Sequence, residues 1–188
     1  MYEQMTNELI DLSLSMFRKN FFGIFHGSIS AKLEGEKFII NSKDAIFDEL
    51  KHDDFIPIHF KEDYRYKTAS IDSYIHRKIY QEISDAKYIC YTMPPNITSY
   101  SLKHDVFKPL DYFGSQKYEE LDIYDPKSFH DWYKRAPAEI ASYLKNNHDI
   151  MIIKGYGTYT YSRDMKELVK KTAIIENSAK IVLNTIKI

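Results

Sequence analysis

The chain has 188 residues, 44% hydrophobic and 28% charged, with a net charge of -1. That is enough apolar content for one domain with a proper core. Near-neutral charge speaks against a nucleic-acid binder that neutralises phosphates, and no apolar run approaches membrane-spanning length, so membrane insertion is not expected. A single cysteine, Cys90, excludes an internal disulfide framework and fits a cytoplasmic setting.

The start, Met1-Tyr2-Glu3-Gln4, lacks the cationic stretch of a signal peptide. Met5, Leu9, Leu12, Met16 and Phe17 recur at helical spacing and predict an opening amphipathic helix. Phe22 to Leu33 and Lys37 to Asn41 read as two strands joined by a turn at Glu34-Gly35-Glu36. A short helix is expected over Asp44 to Leu50. Phe55 to Phe60 contains Pro57 and so reads as an edge strand, because proline cannot donate to a ladder. Lys61 to Thr68 is a polar loop, Ile71 to Ile83 a helix, and Tyr88 to Thr92 a buried strand.

Ser99 to His104 reads as a short helix or turn. Phe107-Lys108-Pro109-Leu110 and Leu121-Asp122-Ile123-Tyr124 are short strand candidates. Asp125-Pro126 opens a helix-like stretch to Leu144, and Asn146 to Asp149 turns into the apolar strand Ile150 to Ile153. The last helix has its start signal at Ser162 or Asp164, with Glu167 placed as in a capping box. Strands mixed with flanking helices give an α/β layer protein. The 16 tyrosines and 11 phenylalanines must fill the core or sit in subunit contacts.

Three blocks carry a resemblance. The first is Phe22-Gly23-Ile24-Phe25-His26-Gly27-Ser28-Ile29-Ser30, followed by Phe38 to Ser42. The second runs from Ser70 through His76 and Tyr80 to Tyr91-Thr92-Met93-Pro94. The third is Ile150 to Gly157, with a closing helix that contains Glu176. In order and spacing, from about residue 5 to the C-terminus, they resemble the class II aldolase/adducin family, whose best-known members are sugar-phosphate aldolases. The resemblance implies one domain over 1–188, in αβα layers around a central, mostly antiparallel sheet.

It also implies where the family's chemistry would lie. Its Gly-Asn-x-Ser falls on Gly27-Ser28-Ile29-Ser30, its Thr-x-x-Gly phosphate loop on Asn41-Ser42-Lys43-Asp44, and its Ser-Ser-Glu on Ser70-Ile71-Asp72. Ser28, Lys43 and Ser70 thus mark former phosphate-site positions. The zinc histidines of His-x-His-Pro and Asn-His-Gly fall on Tyr91, Met93 and Tyr156. A phenol and a thioether are poor zinc ligands. No metal and no other cofactor is expected.

Two readings of Tyr91, Met93 and Tyr156 stand: a pocket converted to bind something without metal, or a pocket filled with bulky side chains. Two stand for Asp72: an acid/base carboxylate, or an N-cap for the helix that follows. Lys43 either attracts an anion or pairs with Asp44. His76 reads as a hydrogen-bonded structural residue, and Cys90 as a small buried hydrophobe.

The expectation is a degenerate, non-catalytic family member that binds a small phosphorylated or carboxylated ligand or a protein partner. Adducin-type members, which lack the metal ligands and act in assembly, give a precedent by resemblance. The family's enzymes imply a homo-oligomer, a tetramer with sites between subunits. The rival is an active lyase on a phosphorylated sugar, with Asp72 as acid/base and zinc only if displaced ligands hold it. A third possibility is a scaffold with an empty pocket.

Overall fold

The computed structural model describes residues 2–186; Met1 and residues 187 and 188 of the expected 1–188 domain lie outside the described residues. The helices are α1 (Tyr2–Arg18), α2 (Ser73–Glu82), α3 (Pro95–Ser101), α4 (Tyr112–Lys117), α5 (Trp132–Asn146) and α6 (Met165–Ile186). The strands are β1 (Ser28–Leu33), β2 (Lys37–Asn41), β3 (Phe55–His59), β4 (Tyr88–Thr92), β5 (Val106–Phe107), β6 (Leu121–Tyr124), β7 (Ile150–Ile153) and β8 (Gly157–Ser162). They form one sheet in the order β3-β2-β1-β4-β8-β7-β6-β5. Every neighbouring pair is antiparallel except β6 and β7. This is the α/β fold with a mostly antiparallel central sheet.

Successive residues of a strand point to opposite faces of the sheet, and here both faces are apolar. Phe38, Ile40, Ile89, Met151 and Ile153 pack with Ile75 and Ile79 of α2 and Ile140 and Leu144 of α5. Ile29, Ala31, Ile39 and Cys90 point the other way, onto Leu9 and Met16 of α1 and Leu168 of α6. Farther along, Ile123, Ile150 and Ile152 pack with Ile97 of α3 and Ile175 and Ala179 of α6. Helices therefore cover both faces of the sheet.

Several expectations change. The first strand begins at Ser28, not Phe22, because Gly27 takes φ +146 and Phe22 leaves the sheet line to pack on Phe47. Asp44 to Leu50 forms turns, not a helix; Ala45, Phe47 and Leu50 each insert into the core at non-helical spacing. The stretch after β7 turns back as β8, a strand absent from the sequence reading. Gly157 permits that return: its φ is +135, and any side chain there would collide with the carbonyl of Thr92. β3 lies at the sheet edge with Pro57 in it, and Asp164 Oδ1 accepts from the Glu167 amide at the start of α6.

Candidate functional site

The register of three strands builds the site. Ser28 pairs with Tyr91, and Tyr91 pairs with Tyr159, so β1, β4 and β8 place these residues in one row across the sheet. Two residues along β1, Ser30 points the same way. Over this face lies α2, with Asp72 just before it and His76 and Tyr80 at successive four-residue steps. Two strand residues advance roughly 7 Å and four helical residues roughly 6 Å, so the two ladders match.

Asp72 occupies the N-cap position of α2, yet its side chain makes no cap bond. The N-cap reading is therefore corrected. Ser28, deep in β1, instead draws the carboxylate toward the sheet: its Oγ donates to Asp72 Oδ2 at 2.7 Å. Asp72 is 3% exposed, and its buried Oδ1 has no hydrogen-bond partner among the described residues. Burial raises its pKa to about 6, against the smaller lowering effects of the Ser28 and Tyr159 hydroxyls.

Behind Ser28 stands His76, fully buried, with Nε2 at 2.9 Å from Ser28 Oγ and Nδ1 at 2.7 Å from Ser30 Oγ. Burial holds its pKa down to about 3, so it is neutral at physiological pH. Ser30 Oγ also meets the hydroxyl of Tyr80 at 2.7 Å.

A cavity of about 180 Å³ opens in front of this row, lined by His26, Asn41, Lys43, Ser70, Asp72, Tyr91, Tyr133 and Tyr156 among others. Its apolar mouth includes Phe25 and Ile71, 63% and 61% exposed. Lys43 lines it, and no ion pair joins Lys43 to Asp44 among the described residues. Ser70 forms part of the wall while its amide donates to the Asn41 carbonyl at 2.9 Å. Ser28 stands behind the wall as the partner of Asp72. Cys90 is on the far face of β4, its thiol pushed up to about 12 by burial.

Tyr91 and Tyr156 come together; Met93 does not join them. The Tyr91 ring stacks on Tyr159 at 5.0 Å and packs against Tyr156 at 4.9 Å. Tyr156 continues the column onto Phe129 at 5.7 Å. The Tyr91 hydroxyl donates to the Tyr156 carbonyl at 2.7 Å, and the Tyr156 hydroxyl meets that of Tyr133 at 2.9 Å. Met93 lies past the end of β4, 40% exposed, outside the cavity lining.

These donors do not fit a zinc ion. Burial raises both phenols well above their usual range, so neither supplies a phenolate. Both hydroxyls are already hydrogen-bonded. Among the described residues, no group of three His, Cys, Asp or Glu side chains could hold a metal.

Tyr133, Ser30 and Tyr80 were missed as site residues; Ser28 was expected at a former phosphate position and is instead the partner of Asp72, and His76 is the hydrogen-bonded residue expected, now part of the series Ser28–His76–Ser30–Tyr80. The sequence carried one signal for the series: serines two apart on a strand and Asp72, His76 and Tyr80 four apart on a helix. Nothing local joins the two sets, which lie more than forty residues apart.

The profile of the Class II Aldolase and Adducin N-terminal domain matches residues 7–183. The chain belongs to that family. Solved structures of similar fold include L-fuculose-1-phosphate aldolase from Thermus thermophilus, 20% identical with a TM-score of 0.86, over 97% of this chain and 95% of that one. YgbL from Klebsiella pneumoniae, a putative aldolase/epimerase/decarboxylase, is 15% identical with a TM-score of 0.81, over 98% and 90% of the two chains. The sugar-phosphate aldolase from Thermotoga maritima is 14% identical with a TM-score of 0.73, over 98% and 96%. At these identities the likeness is one of fold.

Proposed function

We propose that this protein is a degenerate member of its family that binds a small phosphorylated or carboxylated ligand in the Asp72 cavity without a metal. The observation that carries this reading is the closed phenol pair: at the positions where the resemblance places zinc histidines, the Tyr91 hydroxyl is bound to the Tyr156 carbonyl. The cavity itself remains open. Its volume of about 180 Å³ equals roughly six water molecules, enough for a small polar compound. Lys43 offers a cation for an acidic group, and Ser70 and Asn41 offer hydrogen bonds. Tyr91 and Tyr156 shape the cavity, and Met93 stays outside it.

The chain acts as a single domain, cytoplasmic, and assembles with copies of itself, as a tetramer by resemblance. The apolar mouth around Phe25 and Ile71 supports such assembly. No described helix is long and apolar enough to cross a membrane.

Thermal denaturation with a panel of sugar phosphates and hydroxy acids, with and without a chelator, tests the binding. Ligands that bind raise the apparent stability by mass action. The shift should survive the chelator and shrink in Lys43→Ala. No shift across the panel would leave a scaffold with an empty pocket and defeat the proposal.

One observation favours a second reading, an active lyase on a phosphorylated sugar. Asp72 lines the cavity and burial raises its pKa to about 6, as suits an acid/base group. Without a metal, an enediolate formed by proton abstraction lacks its main electrostatic support. Cleavage by chelator-treated protein that disappears in Asp72→Asn would establish the lyase.

A further inference from the structure

Hydrogen-bond direction can be worked out atom by atom, since each hydroxyl has a single proton. With Asp72 ionised, Ser28 donates its proton to Asp72 Oδ2. Ser28 Oγ must then accept at its second contact, so His76 carries its proton on Nε2. His76 is neutral, which leaves Nδ1 bare and accepting from Ser30. Ser30 has now used its proton, so the contact with Tyr80 is a donation from the phenol.

We infer that Tyr80, Ser30, His76 and Ser28 form a one-way chain of buried donors that ends on Asp72 Oδ2 and fixes it as an acceptor while the carboxylate is ionised. His76 is a positioning residue in this arrangement. It touches no ligand; it holds Ser28 so that Ser28 can hold Asp72.

The opposite polarity is the natural competitor. A proton on Oδ2 would make Asp72 the donor to Ser28 and reverse every bond behind it. His76 would then be protonated on Nδ1, and Tyr80 would have to donate to the Lys87 carbonyl at 3.5 Å. Both directions keep the four contacts of 2.7–2.9 Å, and the reversed one adds only this long bond. The ionised carboxylate decides between them, because it can only accept, and donors polarised in series toward a charge strengthen one another.

Surrounding charges do not upset this order. Asp72 is faced by the hydroxyls of Tyr91 from β4, Tyr159 from β8, Tyr133 from α5 and Tyr156 from the β7–β8 turn. Each is a phenol whose ionisation burial makes harder. Lys43 and His26 line the same cavity. The Tyr159 ring meets His76 edge-on at 6.2 Å. At the far end, Tyr80 is near Tyr88 and Cys90, and Lys32 Nζ donates to its carbonyl at 3.1 Å.

The donor chain stands apart from any ligand, while a proton exchange between Asp72 and a bound molecule rests on the proposed function. The experiment therefore uses ligand-free protein, and its failure would leave the binding reading intact. ¹⁵N NMR of the histidine-labelled protein identifies the tautomer of His76 directly. The expected result is a neutral, Nε2-protonated ring at every pH at which the Asp72 ¹³C carboxyl shift reports an ionised carboxylate. An Nδ1-protonated ring beside an ionised Asp72 overturns the inference. Ser28→Ala should raise the Asp72 midpoint by about one pH unit. Tyr80→Phe, which keeps the ring and removes only the proton, should raise it by a few tenths. An unmoved midpoint in Tyr80→Phe also counts against a connected chain, whether or not Ser28→Ala folds.

Discussion

The hydroxyl of Tyr91 donates to the main-chain carbonyl of Tyr156 across 65 residues of sequence. That bond ties the end of β4 to the turn before β8 where the resemblance would put a metal. Tyr91→Phe keeps the ring and its stacking and deletes the bond. The change should lower stability by about 1 kcal/mol, a fall of roughly 2–4 °C in Tm for a chain of this size. Thermal denaturation at neutral pH measures it; an unchanged Tm would mean that the bond contributes nothing.

Asp72 should impose a pH dependence of defined sign. Its folded pKa of about 6 is above the ordinary 3.8. The folded state therefore binds its proton more tightly than the unfolded state. The resulting stability is complete below about pH 3.8 and is lost as pH rises through about 6. The difference amounts to about 3 kcal/mol. His76 acts in the opposite sense: held at about 3 rather than 6.5, it withdraws stability as pH falls below 6.5. Urea unfolding of wild type and Asp72→Asn side by side isolates the aspartate. The variant should gain on wild type by about 3 kcal/mol between roughly pH 4 and pH 7; parallel profiles would contradict a buried carboxylate without a neighbouring cation.

Glu176 should be structural. Its carboxylate accepts from the amides of Asn96 and Ile97 and from Asn96 Nδ2, at 2.6–3.1 Å, and so satisfies the first turn of α3 from α6. Glu176→Ala leaves those donors without their acceptor and should destabilise by about 2 kcal/mol. The Asn96 and Ile97 amides should also exchange faster with deuterium. Unchanged exchange there would mean that water replaces the carboxylate without loss.

Much of the sheet was legible from side-chain alternation. Lys37 to Asn41 and Ile150 to Ile153 keep their expected bounds as β2 and β7, and Pro57 marked β3 as an edge. β8 was missed because its buried positions include Thr158 and Thr160, polar by type although β-branched and suited to a strand. The run from Asp44 to Leu50 misled because composition favours a helix there while the core contacts of Phe47 hold a turn.

The site was legible in parts. Position alone brought Asp72, Lys43, Ser70, Tyr91 and Tyr156 to one cavity through the family resemblance. Met93 failed because the strand ends at Thr92, so the two-residue period that would place it beside Tyr91 no longer applies. The side chain of Asp72 also escaped the sequence, since its partner, Ser28, lies 44 residues earlier.

The central claim is that the cavity lined by the hydrogen-bonded pair Tyr91 and Tyr156 takes no zinc. Purified protein, equilibrated with excess zinc and then freed of unbound metal, should carry far less than one zinc per chain by elemental analysis, and a chelator should leave its Tm unchanged. About one zinc per chain, released by the chelator with loss of stability, would contradict the account.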